Sequence, residues 1–105
     1  MKKTIYVVMG ESGDYEEHRS WTVCALATRE EAEYYVLNVQ AAYNEKKEKY
    51  DRKLRKWADS DGERNMPKFP KIRLDPFLDD YDSGGVRYSW QALQVIQLKK
   101  KGTPQ

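Results

Sequence analysis

The sequence predicts an α+β fold: an antiparallel sheet of about three strands packed on one long amphipathic helix, in the order ββα…β. Three observations carry this. Residues 28–59 contain neither Pro nor Gly, two strand-like runs separated by a glycine-rich stretch precede them, and a third strand-like run follows near the C-terminus.

In chain order, residues 5–9 are a continuous apolar, β-branched run suited to a central strand buried on both faces or to a strand under the helix. Gly10, Glu11, Ser12, Gly13 and Asp14 read as a turn. A second strand is expected over residues 19–27, with Trp21, Val23 and Ala25 on one face and Thr22, Cys24 and Leu26 on the other.

The helix start is written as a capping box, Thr28 with Glu31: the hydroxyl accepts a free first-turn N–H and the carboxylate reaches back to the cap. Glu30, Glu31 and Glu33 sit near the positive end of the helix dipole, and Lys53, Arg55 and Lys56 near the negative end. Ala32, Val36, Val39 and Tyr43 recur at helical spacing, and the stripe resumes at Tyr50, Leu54 and Trp57. Tyr34, Tyr35, Leu37 and Ala41 widen its first half enough to cover a sheet. Roughly thirty helical residues span about 45 Å, against about 17–20 Å for a typical strand, so the second half should overhang. Antiparallel pairing with the helix of a second copy is the expected cover for Tyr50, Leu54 and Trp57. The alternative is the chain's own Phe77, Leu78 and Tyr81, which would also bring the aspartates between residues 75 and 82 toward the basic half of the helix.

Residues 61–74, broken by Gly62, Pro67 and Pro70, are expected to be a flexible connection. A third strand follows over residues 86–98. Val86, Tyr88 and Trp90 share one phase and Leu93 and Val95 the other, so a bulge is expected near Gln91 and Ala92. Residues 99–105 read as a frayed tail.

One hundred and five residues suit a single domain. Cys24 is the only cysteine, which permits no intrachain disulfide and fits a reducing cytoplasm, as a buried thiol. No apolar run is long enough to span a bilayer, and the one after Met1 is too short for a signal peptide. The net charge of +2 is unevenly spread, with Lys46, Lys47, Lys49, Arg52, Lys53, Arg55 and Lys56 against Glu48 and Asp51 over residues 46–58.

No chemical motif is complete. The Gly10–Gly13 stretch lacks the Gly-Lys-Ser/Thr of a phosphate loop and leads into a strand. Residues 80–91 lack the ligands of a calcium loop. His18 has Ser12, Ser20, Asp14 and Glu17 nearby in sequence but no strand-turn-helix elbow for a nucleophile, and one His with one Cys is too few for zinc. No enzyme, cofactor or metal is therefore expected.

Residues 5–9 leading into Gly-Glu-Ser-Gly-Asp-Tyr, Trp21 in a second strand, Thr28-Arg29-Glu30-Glu31-Ala32-Glu33, and a late Gly85-Val86-Arg87-Tyr88 resemble small uncharacterised proteins of phages and prophages. The resemblance implies a compact α+β fold in the host-cell cytoplasm and transfers no site residues. By analogy of lifestyle, some phage proteins of this size inhibit host defences such as CRISPR complexes. The functional expectation is a non-enzymatic protein-interaction module whose partner-binding residues are Tyr50, Leu54 and Trp57 with Lys46, Lys49, Arg52, Lys53 and Lys56. The alternative is a nucleic-acid binder using that basic face, with Tyr50 and Trp57 stacking on bases.

Overall fold

Alternation and capping in the sequence become three strands and one helix in the computed structural model, which describes residues 2–13, 18–60, 65–79, 82 and 84–96. Strand β1 spans Lys2–Ser12, β2 Arg19–Leu26 and β3 Val86–Ile96, and helix α1 spans Arg29–Asp59. The strands form one antiparallel sheet in the order β2-β1-β3, so the fold is α+β as expected.

β1 is longer than its apolar run because Gly10 lies inside the strand. It faces Trp21 across the β1–β2 ladder and leaves room for the indole. The strand ends three residues later, after Ser12, at Gly13, whose φ of 79° suits glycine. β1 and β3 pair in unbroken register from Lys2↔Ile96 to Ser12↔Val86. The bulge expected near Gln91 and Ala92 is therefore absent. The irregularity lies in the other ladder, where Val8 faces Cys24 but Met9 faces Thr22, leaving Val23 without an opposite residue. Leu93 and Val95 need no bulge, because they sit on the far face of the sheet and are 43% and 39% exposed.

Both halves of the capping box form. Glu31 N donates to Thr28 Oγ1 at 3.2 Å, and Thr28 N donates to Glu31 Oε1 at 3.2 Å. The helix begins level with Trp90, over whose ring Arg29 sits at 5.5 Å. It runs toward Val86, where Gln40 Nε2 donates to Val86 O and Gln40 Oε1 accepts from Tyr88 N. Ala32, Val39 and Tyr43 enter the core with Val8, Trp21 and Tyr88. Tyr34 and Leu37 do not widen the buried stripe: they lie on the helix's outer side and are about 70% exposed.

Thirty-one residues at 1.5 Å each make α1 about 46 Å long, so its second half does leave the sheet. Phe69 fills the space beneath, stacked on Tyr43 with ring centroids 5.4 Å apart and edge-on to Tyr50 at 5.2 Å. For Tyr50 the cover thus comes from the chain, and from the segment expected to be a flexible connection. Phe69 and Ile72 are among its most buried residues, whereas Phe77 is 54% exposed. Leu78 packs against the core, and Tyr81 lies outside the described residues, as do the tail 99–105 and positions 97 and 98.

Candidate interaction surfaces

The strongest polar cluster is structural. Asp75 and Asp82 are each 1% exposed, and burial without partners would be costly. Asp75 Oδ2 accepts from Trp21 Nε1 at 2.9 Å and from the Tyr88 hydroxyl at 2.7 Å, while its Oδ1 accepts from Phe77 N at 3.1 Å. Asp82 accepts from Ser12 Oγ at 2.6 Å, from Asp79 N at 2.8 Å and from the Arg19 guanidinium, which also sits 4.2 Å over the Trp21 ring. Burial disfavours ionisation of Asp82, but bonds from Arg19, Ser12 and Asp79 N prevail and hold its carboxyl below the usual value. The two aspartates thus turn inward toward Arg19, Trp21 and Tyr88. Among the described residues neither has an ion pair with the basic half of α1; bonds from Asp75 N to Ile72 O and from Asp82 N to Asp79 O hold their backbone in turns beside the sheet.

Ser12 and His18 are not brought together: Ser12 donates to Asp82, and His18 Nε2 lies 3.3 Å from Glu11. A cleft of about 550 Å³ opens between Ser12, Tyr43, Lys47, Gly84, Gly85 and Arg87. Its polar groups already have partners: Tyr43 donates to Asp82 O, Lys47 pairs with Asp51, and Arg87 pairs with Glu11. Cys24 is half-buried, and burial pushes its thiol pKa up despite a bond with Tyr35, so the thiol stays protonated at neutral pH. Among the described residues no three of His, Cys, Asp and Glu gather as metal ligands, and no helix is long and apolar enough to cross a membrane.

The far face of the sheet is the first open surface. Side chains alternate along β1, so Val8, Gly10 and Ser12 face the helix while Ile5, Val7, Met9 and Glu11 face away. Leu93 and Val95 lie beside Ile5 and Lys3 on that same face. Val7 is only 6% exposed yet stands outside the core cluster, being enclosed by its neighbours in the sheet. Among the described residues no helix or strand packs on this face.

The overhanging half of α1 is the second surface. Of the residues expected to bind a partner, Tyr50 is 6% exposed and occupied with Phe69; Leu54 and Trp57 are half-buried, and Leu54 packs against the core. Lys46 is half-buried, and Lys49, Arg52, Lys53 and Lys56 are exposed. Lys49 pairs with Glu45 at 3.2 Å and Arg52 with Glu48 at 3.7 Å, each one helical turn away. Lys53, Arg55 and Lys56 have no ion pair among the described residues and, with Lys49, Arg52 and Asp59, border a shallow groove of about 500 Å³.

The continuous apolar run at residues 5–9 allows burial on both faces of β1, and a single helix covers only one; the sequence reading placed the partner site on the helix and did not assign the second face of the sheet. No protein-family model matches the chain, and no curated protein or solved structure matches it as a relative.

Proposed function

We propose that the protein is a non-enzymatic interaction module that holds a protein partner on the open face of its sheet. The observation that carries this reading is the grouping of Ile5, Val7, Met9, Leu93 and Val95 on a face with no second layer among the described residues. Scattered surface apolar residues need no explanation, but a contiguous group does. Here the apolar centre is bordered by Lys3, Glu11 and Arg87, the core-and-rim arrangement of protein interfaces. The resemblance to phage and prophage proteins supports a host or phage protein as the partner, with inhibition of a host defence complex as one form of the activity. The test is capture of a partner by the tagged protein in host or infected cells, compared with Met9→Asp. Capture that Met9→Asp leaves unchanged, in a variant that stays folded, sinks the reading.

A second reading rests on the exposed Lys53, Arg55 and Lys56 at the end of a helix that projects beyond the sheet, where they could follow a phosphate backbone. Counterion release makes such binding fall steeply with salt. Absence of any gel shift at low salt would eliminate it, and a shift lost in Lys53→Glu/Lys56→Glu would favour it over the protein partner.

A further inference from the structure

The two edges of the sheet are treated differently. β2 has eight residues and carries the irregularity at Val23, both of which discourage pairing with another strand. β3 has eleven residues, contains no proline, and pairs with β1 without interruption. Its first half is nevertheless blocked. Gln40 reaches from α1 and satisfies both Val86 O and Tyr88 N, at 3.0 and 2.8 Å, as a neighbouring strand would.

Those two bonds also identify which β3 residues point outward. Backbone N–H and C=O groups of alternate residues address the same edge, and the unbroken register with β1 preserves the alternation. Trp90, Ala92, Gln94 and Ile96 therefore present their backbone groups to the outside, and none has a partner there among the described residues. Helix α1 begins level with Trp90 and leaves this half uncovered; Ala92, Gln94 and Ile96 are all exposed, Ile96 at 63%. From Ser89 to Ile96 the strand has no charged residue, in a chain where 34% of residues are charged.

We propose that this bare half of β3 is a self-pairing edge through which two copies of the chain join antiparallel about Leu93. Within the described strand the open run, Trp90 to Ile96, is centred on that residue. Trp90 then faces the partner's Ile96 and Ala92 faces the partner's Gln94, so every outward backbone group of the run finds a partner. The next step along the strand is Tyr88, already closed by Gln40, which ends the pairing. Because the run is uncharged, no like charges oppose each other directly across the new ladder. Leu93 meets its own counterpart on the far face, and the three-stranded sheets merge into six strands. Seven residues of one strand edge supply less than the roughly 800 Å² per partner of a standard interface, so the dimer forms reversibly, at concentrations on the order of 10–100 µM.

Sedimentation velocity of the full chain across the micromolar range tests this, alongside Gln94→Pro and Leu93→Lys. Proline at position 94 removes an outward N–H that makes no bond within one copy, so the fold should survive. Lysine at position 93 places two like charges on the symmetry axis. The expected result is a concentration-dependent dimer that both variants abolish, with unchanged circular dichroism. Should Gln94→Pro unfold, hydrogen exchange on the unmodified chain replaces it: the Ala92 and Gln94 amides must be protected in concentrated and not in dilute solution. A chain that stays monomeric throughout overturns the proposal. So does a dimer that tolerates Leu93→Lys but is lost in Leu54→Glu, which would place the contact on the helix, and so does capture of a different protein's strand at this edge without self-association.

Discussion

A Cβ built on Gly10 would lie 2.7 Å from both Cε2 and Cζ2 of Trp21, so the central strand leaves a side-chain position empty and the indole occupies it. Trp21 is held there from two other directions, by Asp75 through its ring N–H and by Arg19 over its face. It cannot withdraw without breaking the buried cluster. Gly10→Ala should therefore destabilise the protein by about 1–3 kcal/mol, despite alanine's better fit to a strand. Gly84→Ala, where the added methyl meets nothing within 4 Å and φ is not positive, should be close to neutral. Urea denaturation measures both, and equal midpoints for the two variants would show that the indole adapts.

Asp82 makes stability depend on acid. Its folded pKa lies below the ordinary value of 3.8, so its contribution is fully present above that value and disappears as pH falls through the folded one. The urea midpoint should be level near neutrality and drop below about pH 4. Asp82→Asn should lower stability at neutral pH by about 1–3 kcal/mol, read as a lower urea midpoint, because the partly exposed Arg19 charge loses its buried partner. The acid-dependent loss should shrink in that variant. An acid profile identical to the wild type would mean that other carboxylates govern it.

Base acts through Tyr43. Burial pushes its phenol up to about 12, with Asp82 and Asp51 adding in the same direction. The group is neutral in both states at neutral pH. Its contribution is fully present below the ordinary value of 10.0 and is lost as pH rises to about 12. Tyr88 moves the same way, mainly by burial and then by its bond to Asp75. Stability should accordingly fall above pH 10, and spectrophotometric titration should show at least two tyrosines, Tyr43 and Tyr88, ionising only as the chain unfolds, with Tyr35 also displaced upward by burial. Ionisation of all eight tyrosines near pH 10 with the fold intact would contradict the burial of these two.

The architecture was legible in the sequence where one local signal sufficed. Thr28 and Glu31 marked the helix start, and alternation marked the strands. What was not legible depended on contacts distant in sequence. Gly10 looked like a turn residue because its reason for being glycine, Trp21, lies across a ladder. The aspartates between residues 75 and 82 read as a block able to approach the basic half of the helix, although two of them are core acceptors for Trp21, Tyr88, Ser12 and Arg19. Gln40, one polar residue among many on α1, gives no sign in sequence that it closes half of a sheet edge. On the helix, the basic positions did reach the surface, but Tyr50 did not, because proline-rich composition hid Phe69 and Ile72 as its cover.

That cover distinguishes the two aromatic residues able to lie over the helix. Phe69 contacts Tyr43 and Tyr50 and is 6% exposed, whereas Phe77 is 54% exposed and contributes its backbone to the turn, its N–H bonded to Asp75 and its C=O to Arg19. Phe69→Ala should cost about 3–5 kcal/mol by leaving a cavity between α1 and the segment beneath it. Phe77→Ala, which keeps the backbone bonds, should cost well under 1 kcal/mol. The effect should also be local in origin. Without Phe69, Tyr50 in the half of α1 beyond Tyr43 loses its edge-on aromatic partner, so amide exchange should quicken over residues 47–58 before it does so at the capped N-terminal half. If Phe77→Ala is the more damaging of the two, or if exchange quickens uniformly along α1, the overhang is supported by something other than Phe69.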